Sequence, residues 1–174
     1  MTEFAEDSVC VIPELVKPDV IQTLRVHFQK LLKNGGMKLG DGQSPLRYIA
    51  YKDPEASLLQ PYFIPVVTDI SGVPVKSTYN YTATYIAGAK LPPHTDRPQC
   101  EFTISLAIES GNEKNDGYVW PIVIGTKKIT LKPGDAALYK GIELNHYRNT
   151  LPEGNTVTNI FFHYVNESFS GSLD

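Results

Sequence analysis

From Thr78 onward the chain is a succession of short runs that either alternate apolar and polar residues or are rich in β-branched and aromatic side chains. These runs cover 81–88, 101–108, 118–124, 128–131, 136–139 and 156–165. Gly111-Asn112, Asn115-Asp116-Gly117, Pro133-Gly134-Asp135 and Glu153-Gly154-Asn155 mark turns between them. Alternation of period two is what a half-buried strand requires, because successive side chains point to opposite faces. Many short strands at close spacing predict a double-stranded β-helix, a jelly-roll barrel. Ahead of it, Lys17-Pro18-Asp19 precedes Val20, Leu24, Phe28, Leu31 and Leu32 at helical spacing, and Asn34-Gly35-Gly36 supplies a stop. Asp53-Pro54-Glu55 opens a second helical segment that Pro61 and Pro65 interrupt and that ends near Gly72. The expected architecture is mainly β, with N-terminal helices packed on one sheet of the barrel. It forms a single domain over 1–174, with helical support over about 1–77 and a jelly-roll core over about 78–166.

With 174 residues, 41% hydrophobic and 20% charged, the chain is long enough to bury one real core. A net charge of −3 and a pI near 5.8 provide no broad cationic field for phosphates, so no nucleic-acid partner is expected. Cys10 and Cys100 are too few and too far apart for a disulfide framework or a CxxC pair and read as free thiols. The acidic start, Met1 to Asp7, and the lack of a long apolar run predict no membrane span and a cytoplasmic location.

Within the strand-rich half, Pro93-His94-Thr95-Asp96-Arg97 lies in the short link between two strand-like runs. A histidine and a carboxylate two residues apart can grip one metal ion if a second histidine arrives from elsewhere, and His146 is the expected partner. Two imidazoles and one carboxylate on one face of an octahedral ion leave three positions open, an arrangement suited to non-haem iron. His146 is expected to begin a strand, just after Gly141 ends the preceding one. Arg148, two residues on, would then share the face of His146 and offer a guanidinium to a carboxylate ligand.

The order Tyr85, His94-Thr95-Asp96, Pro133-Gly134-Asp135 and His146 resembles that of the 2-oxoglutarate- and Fe(II)-dependent oxygenases, in particular their prolyl-4-hydroxylase-like branch. The local phrases His94-Thr95-Asp96-Arg97-Pro98-Gln99-Cys100-Glu101, Trp120-Pro121-Ile122 and residues 139–148 are similar to an uncharacterised bacterial-type subgroup. The resemblance implies a dioxygenase with Fe(II), 2-oxoglutarate as cosubstrate, and O2. Such an enzyme hydroxylates an unactivated C–H bond of a small molecule or a peptidyl residue and releases succinate and CO2. It also implies that His94, Asp96 and His146 are the catalytic iron ligands and that Tyr85 contacts the 2-oxoglutarate carboxylate. One departure stands out: the family's cation on the last barrel strand is replaced here by Asn155-Thr156-Val157. Arg148 is the expected substitute anchor and Arg97 the second choice, and the two could divide cosubstrate and substrate between them.

Other residues have plainer readings. His163 lies in an apolar run and reads as structural, His27 as helix packing and Trp120 as a packing residue between sheets. Thr103 and Ser105 share one strand face that points either inward or to solvent. Cys100 lacks a general base, which argues against nucleophilic catalysis. Residues 37–50, with Arg47 and Tyr48, and 110–117 are candidate lid pieces, and 112–116 reads as a solvated turn. Two other functions share the architecture: a cupin-like metal enzyme that uses no 2-oxoglutarate, and a non-catalytic jelly-roll binding protein.

Overall fold

The computed structural model describes residues 3–111 and 118–174. Four helices, α1 (Glu3–Asp7), α2 (Pro18–Lys33), α3 (Pro54–Leu59) and α4 (Ile64–Ser71), accompany β1 (Val9–Ile12), β2 (Lys38–Leu39), β3 (Arg47–Tyr51), β4 (Val75–Ile86), β5 (Leu91–His94) and β6 (Phe102–Glu109). They are followed by β7 (Ile122–Ile124), β8 (Lys127–Ile129), β9 (Ala136–Lys140), β10 (His146–Arg148) and β11 (Thr156–Asn166). Proline at the first turn of α2 costs no hydrogen bond, and the helix buries Ile21, Leu24 and Phe28. The second helical segment is broken as expected. Pro61 opens a 3-10 turn over Gln60–Phe63, Pro65 sits in the first turn of α4, and Gly72 closes that helix in the left-handed conformation at φ 76°. Among the described residues no helix is long and apolar enough to cross a membrane.

The strands form two antiparallel sheets, one in the order β1-β9-β6-β11-β4-β3-β2 and the other β5-β10-β7-β8. They pack face to face, as Ile122, Ile124 and Ile129 of the small sheet cluster with Val9, Ala107, Ala137 and Tyr139 of the large one. Two expectations are corrected. The jelly roll is an open sandwich rather than a closed barrel, because among the described residues no ladder joins the two sheets. The first 77 residues are not helical support alone. They also supply β1, which pairs with β9, and the β2–β3 hairpin, which extends the sheet beyond β4.

Period-two alternation sorts each central strand between two environments. From β6 and β11, Phe102, Ile104, Leu106, Ile108, Ile160, Phe162 and Tyr164 join a core with Leu24 and Phe28 of α2 and Val67 of α4. The alternate residues Thr103, Ser105, Ala107, Val157, Asn159, Phe161 and His163 are buried on the opposite, inward face. Thr103 and Ser105 therefore point inward. Of the expected 118–124 strand only Ile122–Ile124 pairs. The solvated turn expected at 112–116, the turn at 115–117 and most of the second lid piece lie outside the described residues.

Candidate metal centre

His94 ends β5 and His146 begins β10, and the two are direct cross-strand partners. Side chains at such positions are neighbours on one face, and here the imidazole centroids are 4.2 Å apart. β5 lies at the edge of the small sheet, which is why Pro92 and Pro93 can precede His94 without breaking a central ladder. Asp96 follows the strand, held by its backbone N–H donating to the Gly141 carbonyl at 2.8 Å. Its Oδ1 lies 3.5 Å from His146 Nε2 and 3.8 Å from His94 Nε2. Ligand atoms of all three residues lie within 4.8 Å of one another.

The imidazole tautomers follow from their neighbours. His94 Nδ1 is 2.8 Å from the Pro92 carbonyl and His146 Nδ1 is 2.9 Å from the Leu144 carbonyl. A carbonyl only accepts, so in each ring Nδ1 carries the proton and Nε2 keeps its lone pair, the arrangement that orients metal-binding histidines. Burial, reinforced by His146, lowers the pKa of His94 and favours the neutral ring. Burial pushes the Asp96 carboxyl up, but the neighbouring imidazoles, His146 foremost and then His163 and His94, outweigh it and hold the group below the ordinary carboxylate range. Thr103 Oγ1 donates to Asp96 Oδ2 at 3.2 Å. The set of two nitrogens and one oxygen thus fits a divalent transition-metal ion, with supporting hydrogen bonds already made.

These residues line a cavity of about 300 Å³ together with Tyr85, Arg97, Arg47, Tyr79 and Tyr139. Tyr85 is fully buried on β4, opposite Arg47 of β3, and its hydroxyl accepts from Arg47 Nη1 at 2.8 Å. Arg97 stands exposed at the rim, its guanidinium 4.6 Å from the Tyr79 ring centroid and its Nε donating to the Tyr79 hydroxyl. Arg148 does face inward from the strand of His146, yet it is not in the cavity wall. Its guanidinium lies 4.9 Å from the Trp120 ring centroid and donates to the Trp120 carbonyl, and Trp120 packs edge-on against Tyr85. Arg148 Nε is buried without a hydrogen-bond partner among the described residues. Trp120 is a packing residue as expected, with Nε1 donating to Asn149 O. His27 bonds Asp53 Oδ2 and ties α2 to the start of α3.

Arg47 is a cavity residue that sequence reasoning placed only in a lid. It donates from Nε to Asp41 Oδ2 at 2.8 Å and from Nη2 to Gln43 Oε1, so it pins the 40–45 loop, whose Asp41, Gly42 and Gln43 also line the cavity. Burial would raise the Asp41 carboxyl, but hydrogen bonds from Tyr81, Arg47 and the backbone of Ser44 and Gln43 bring it down to about 2. The tyrosines were findable, since Tyr79, Tyr81 and Tyr85 share one parity along β4. His163, read as structural, lines the same cavity.

No family model matches the chain, and no curated protein matches it. Solved structures do. The non-haem α-ketoglutarate-dependent epimerase SnoN from nogalamycin biosynthesis matches with a TM-score of 0.76 and 11% identity, covering 94% of this chain and 79% of that one. A Pseudomonas putida prolyl-4-hydroxylase matches with a TM-score of 0.74 and 13% identity over 95% and 96% of the two chains. HygX from Streptomyces hygroscopicus, solved with nickel and 2-oxoglutarate bound, gives 0.73 and 12% over 97% and 89%. At these identities the likeness is one of fold: the chain has the jelly-roll sandwich of 2-oxoglutarate-dependent oxygenases.

Proposed function

We propose that the chain is a non-haem Fe(II)- and 2-oxoglutarate-dependent dioxygenase. Its reaction would hydroxylate an unactivated C–H bond of a small molecule or peptidyl residue and release succinate and CO2. The observation that carries the reading is the convergence of His94, Asp96 and His146 within 4.8 Å in a cavity wall, with both Nε2 lone pairs free. Iron and 2-oxoglutarate, when bound, would supply the oxidative chemistry. His94 and His146 would bind the ion through Nε2 and Asp96 through Oδ1. Thr103 and the Gly141 carbonyl hold Asp96 in register for that task.

Arg148 is the proposed anchor for the far carboxylate of the cosubstrate. Arg47 already has its charge matched by Asp41. Arg148 is 4% exposed, stands over the Trp120 ring near Tyr85, Tyr139 and Tyr118, and among the described residues has no carboxylate partner and an unused Nε–H, so an incoming carboxylate would compensate a buried cation. Access requires Trp120 to yield. Tyr85, between Arg47 and Trp120, would orient the same ligand through its hydroxyl. Arg97, at the rim, would face a substrate anion. Epimerisation is a second outcome to test at the same site, since SnoN, which shares the fold, is an epimerase.

Anaerobic addition of Fe(II) and 2-oxoglutarate to metal-free protein tests the reading. A weak visible charge-transfer band should appear and vanish in His94→Ala and His146→Ala. In Arg148→Ala, iron binding should persist while 2-oxoglutarate affinity falls at least about tenfold, about 1.4 kcal/mol. Unchanged cosubstrate affinity there would remove the anchor. Metal binding without the band or succinate would indicate a cupin-like enzyme, and no metal binding a non-catalytic barrel relative. Incorporation of label from 18O2 into product separates hydroxylation from epimerisation.

A further inference from the structure

Asp96 is shared between two clusters. On its other side Cys100 and His163 offer a sulfur and a nitrogen, and ligand atoms of Asp96, Cys100 and His163 also lie within 4.8 Å of one another. All three line the same cavity, and both Cys100 and His163 are buried. Short hydrogen-bond chains fix the donor character of each group. Arg97 Nε–H can only donate, so at 2.8 Å the Tyr79 oxygen accepts it, and the Tyr79 hydroxyl also lies 3.0 Å from Cys100 Sγ. The sulfur therefore lies at the end of a hydrogen-bond chain that begins at a guanidinium. On the other side, the Asp96 carboxylate takes the one Thr103 hydroxyl proton, so Thr103 Oγ1 accepts from His163 Nδ1–H at 3.0 Å. That leaves His163 Nε2 with its lone pair. The alternative acceptor for Thr103, Cys100 O, is at 3.5 Å and does not compete.

We propose that Asp96, Cys100 and His163 form a second metal site, for a thiophilic divalent ion such as zinc or cobalt, with Asp96 bridging it to the first. Asp96 Oδ1 is the oxygen near His94 and His146, and Oδ2 is the one bonded to Thr103 beside His163, so the carboxylate can offer one oxygen to each ion. A nitrogen, oxygen and sulfur set with one position left for water is a tetrahedral zinc arrangement, whereas the first set lacks sulfur and suits harder ions. Entry of the ion replaces the Cys100 S–H bond by a metal–sulfur bond, and the proton leaves to solvent. The site goes beyond the oxygenase reading and does not depend on 2-oxoglutarate.

Titration of reduced, metal-free protein with Co(II) tests it. The wild type should bind two equivalents and develop a thiolate-to-cobalt absorption band in the near ultraviolet. Cys100→Ser should bind one equivalent and lack the band, and His94→Ala should keep the band while losing the other equivalent. X-ray absorption of the zinc-loaded wild type should show a sulfur neighbour at about 2.3 Å that is missing in Cys100→Ser. Absence of both the band and the sulfur neighbour at saturating metal, or their survival in Cys100→Ser, overturns the second site. Failure of the first site alone would leave the sulfur signature in place, so the two readings fail separately.

Discussion

The two faces of the seven-stranded sheet are built from alternate residues of the same strands, yet they do opposite things. Toward the helices, Ile104, Leu106, Ile160, Phe162 and Tyr164 pack against α2 and α4 in an apolar core. Inward, Thr103, Ser105, Asn159 and His163 put polar atoms into the space between the sheets, and Ser105 Oγ and Asn159 Oδ1 are buried there without a partner among the described residues. Apolar packing is concentrated on one parity of β6 and β11, and the polar groups of the candidate site on the other.

That separation can be broken from either side. Phe162→Ala removes a fully buried ring that stacks edge-on against Phe63, with centroids 5.2 Å apart. It should cost about 3–5 kcal/mol in chemical denaturation, while the folded fraction keeps its Fe(II) affinity. Loss of affinity in proportion to stability would mean that the two faces are not separable.

A smaller effect probes the inward face by pH. Burial lowers His163 to about 4, with Asp96 opposing and Arg97 and His146 adding to the shift. Between its ordinary value near 6.5 and about 4, the unfolded chain takes up a proton that the folded chain refuses. Stability must therefore fall as pH drops through that window. For this fully buried ring the loss is about 3 kcal/mol. Denaturation of metal-free wild type and His163→Gln at pH 7 and pH 4 should show the slope in the former and a flatter one in the latter. Equal slopes would show that the acid sensitivity resides elsewhere, for example in His94.

Much of this organisation was legible in the residues. The His94-Thr95-Asp96 link and His146 meet as their strand-end positions implied, because both lie at the same end of neighbouring strands. The broken helix followed from Pro61 and Pro65. What escaped was long-range: β1 and the β2–β3 hairpin join the sheet through pairings that no local pattern encodes. Arg47 reaches the cavity only because β3 lies beside β4 with Arg47 opposite Tyr85. Arg148 shows the converse limit. Strand parity put it on the inward face correctly, but parity says nothing of Trp120 coming between it and the cavity. Alternation likewise marks Thr103 and His163 as sharing a face with their neighbours without saying whether that face is wet, dry or catalytic.

Gly141 offers the finest test, because it joins the two faces' division to the metal cluster through one missing methyl. A Cβ at this position would lie 2.3 Å from Asp96 Oδ2 and 2.7 Å from the Cys100 carbonyl oxygen. Its carbonyl also accepts from Asp96 N–H, so the backbone is held too closely to retreat. In Gly141→Ala the carboxylate must swing away, and with it the oxygen that faces His94 and His146. Misplacing a supporting contact of this kind costs roughly ten- to a hundredfold in metal affinity, while the helix-side core is untouched and its contribution to stability should persist. Calorimetric titration of the variant with Fe(II) or Co(II) measures the loss. Wild-type affinity in Gly141→Ala would show that Asp96 can be displaced without consequence, which is incompatible with its proposed role as a ligand.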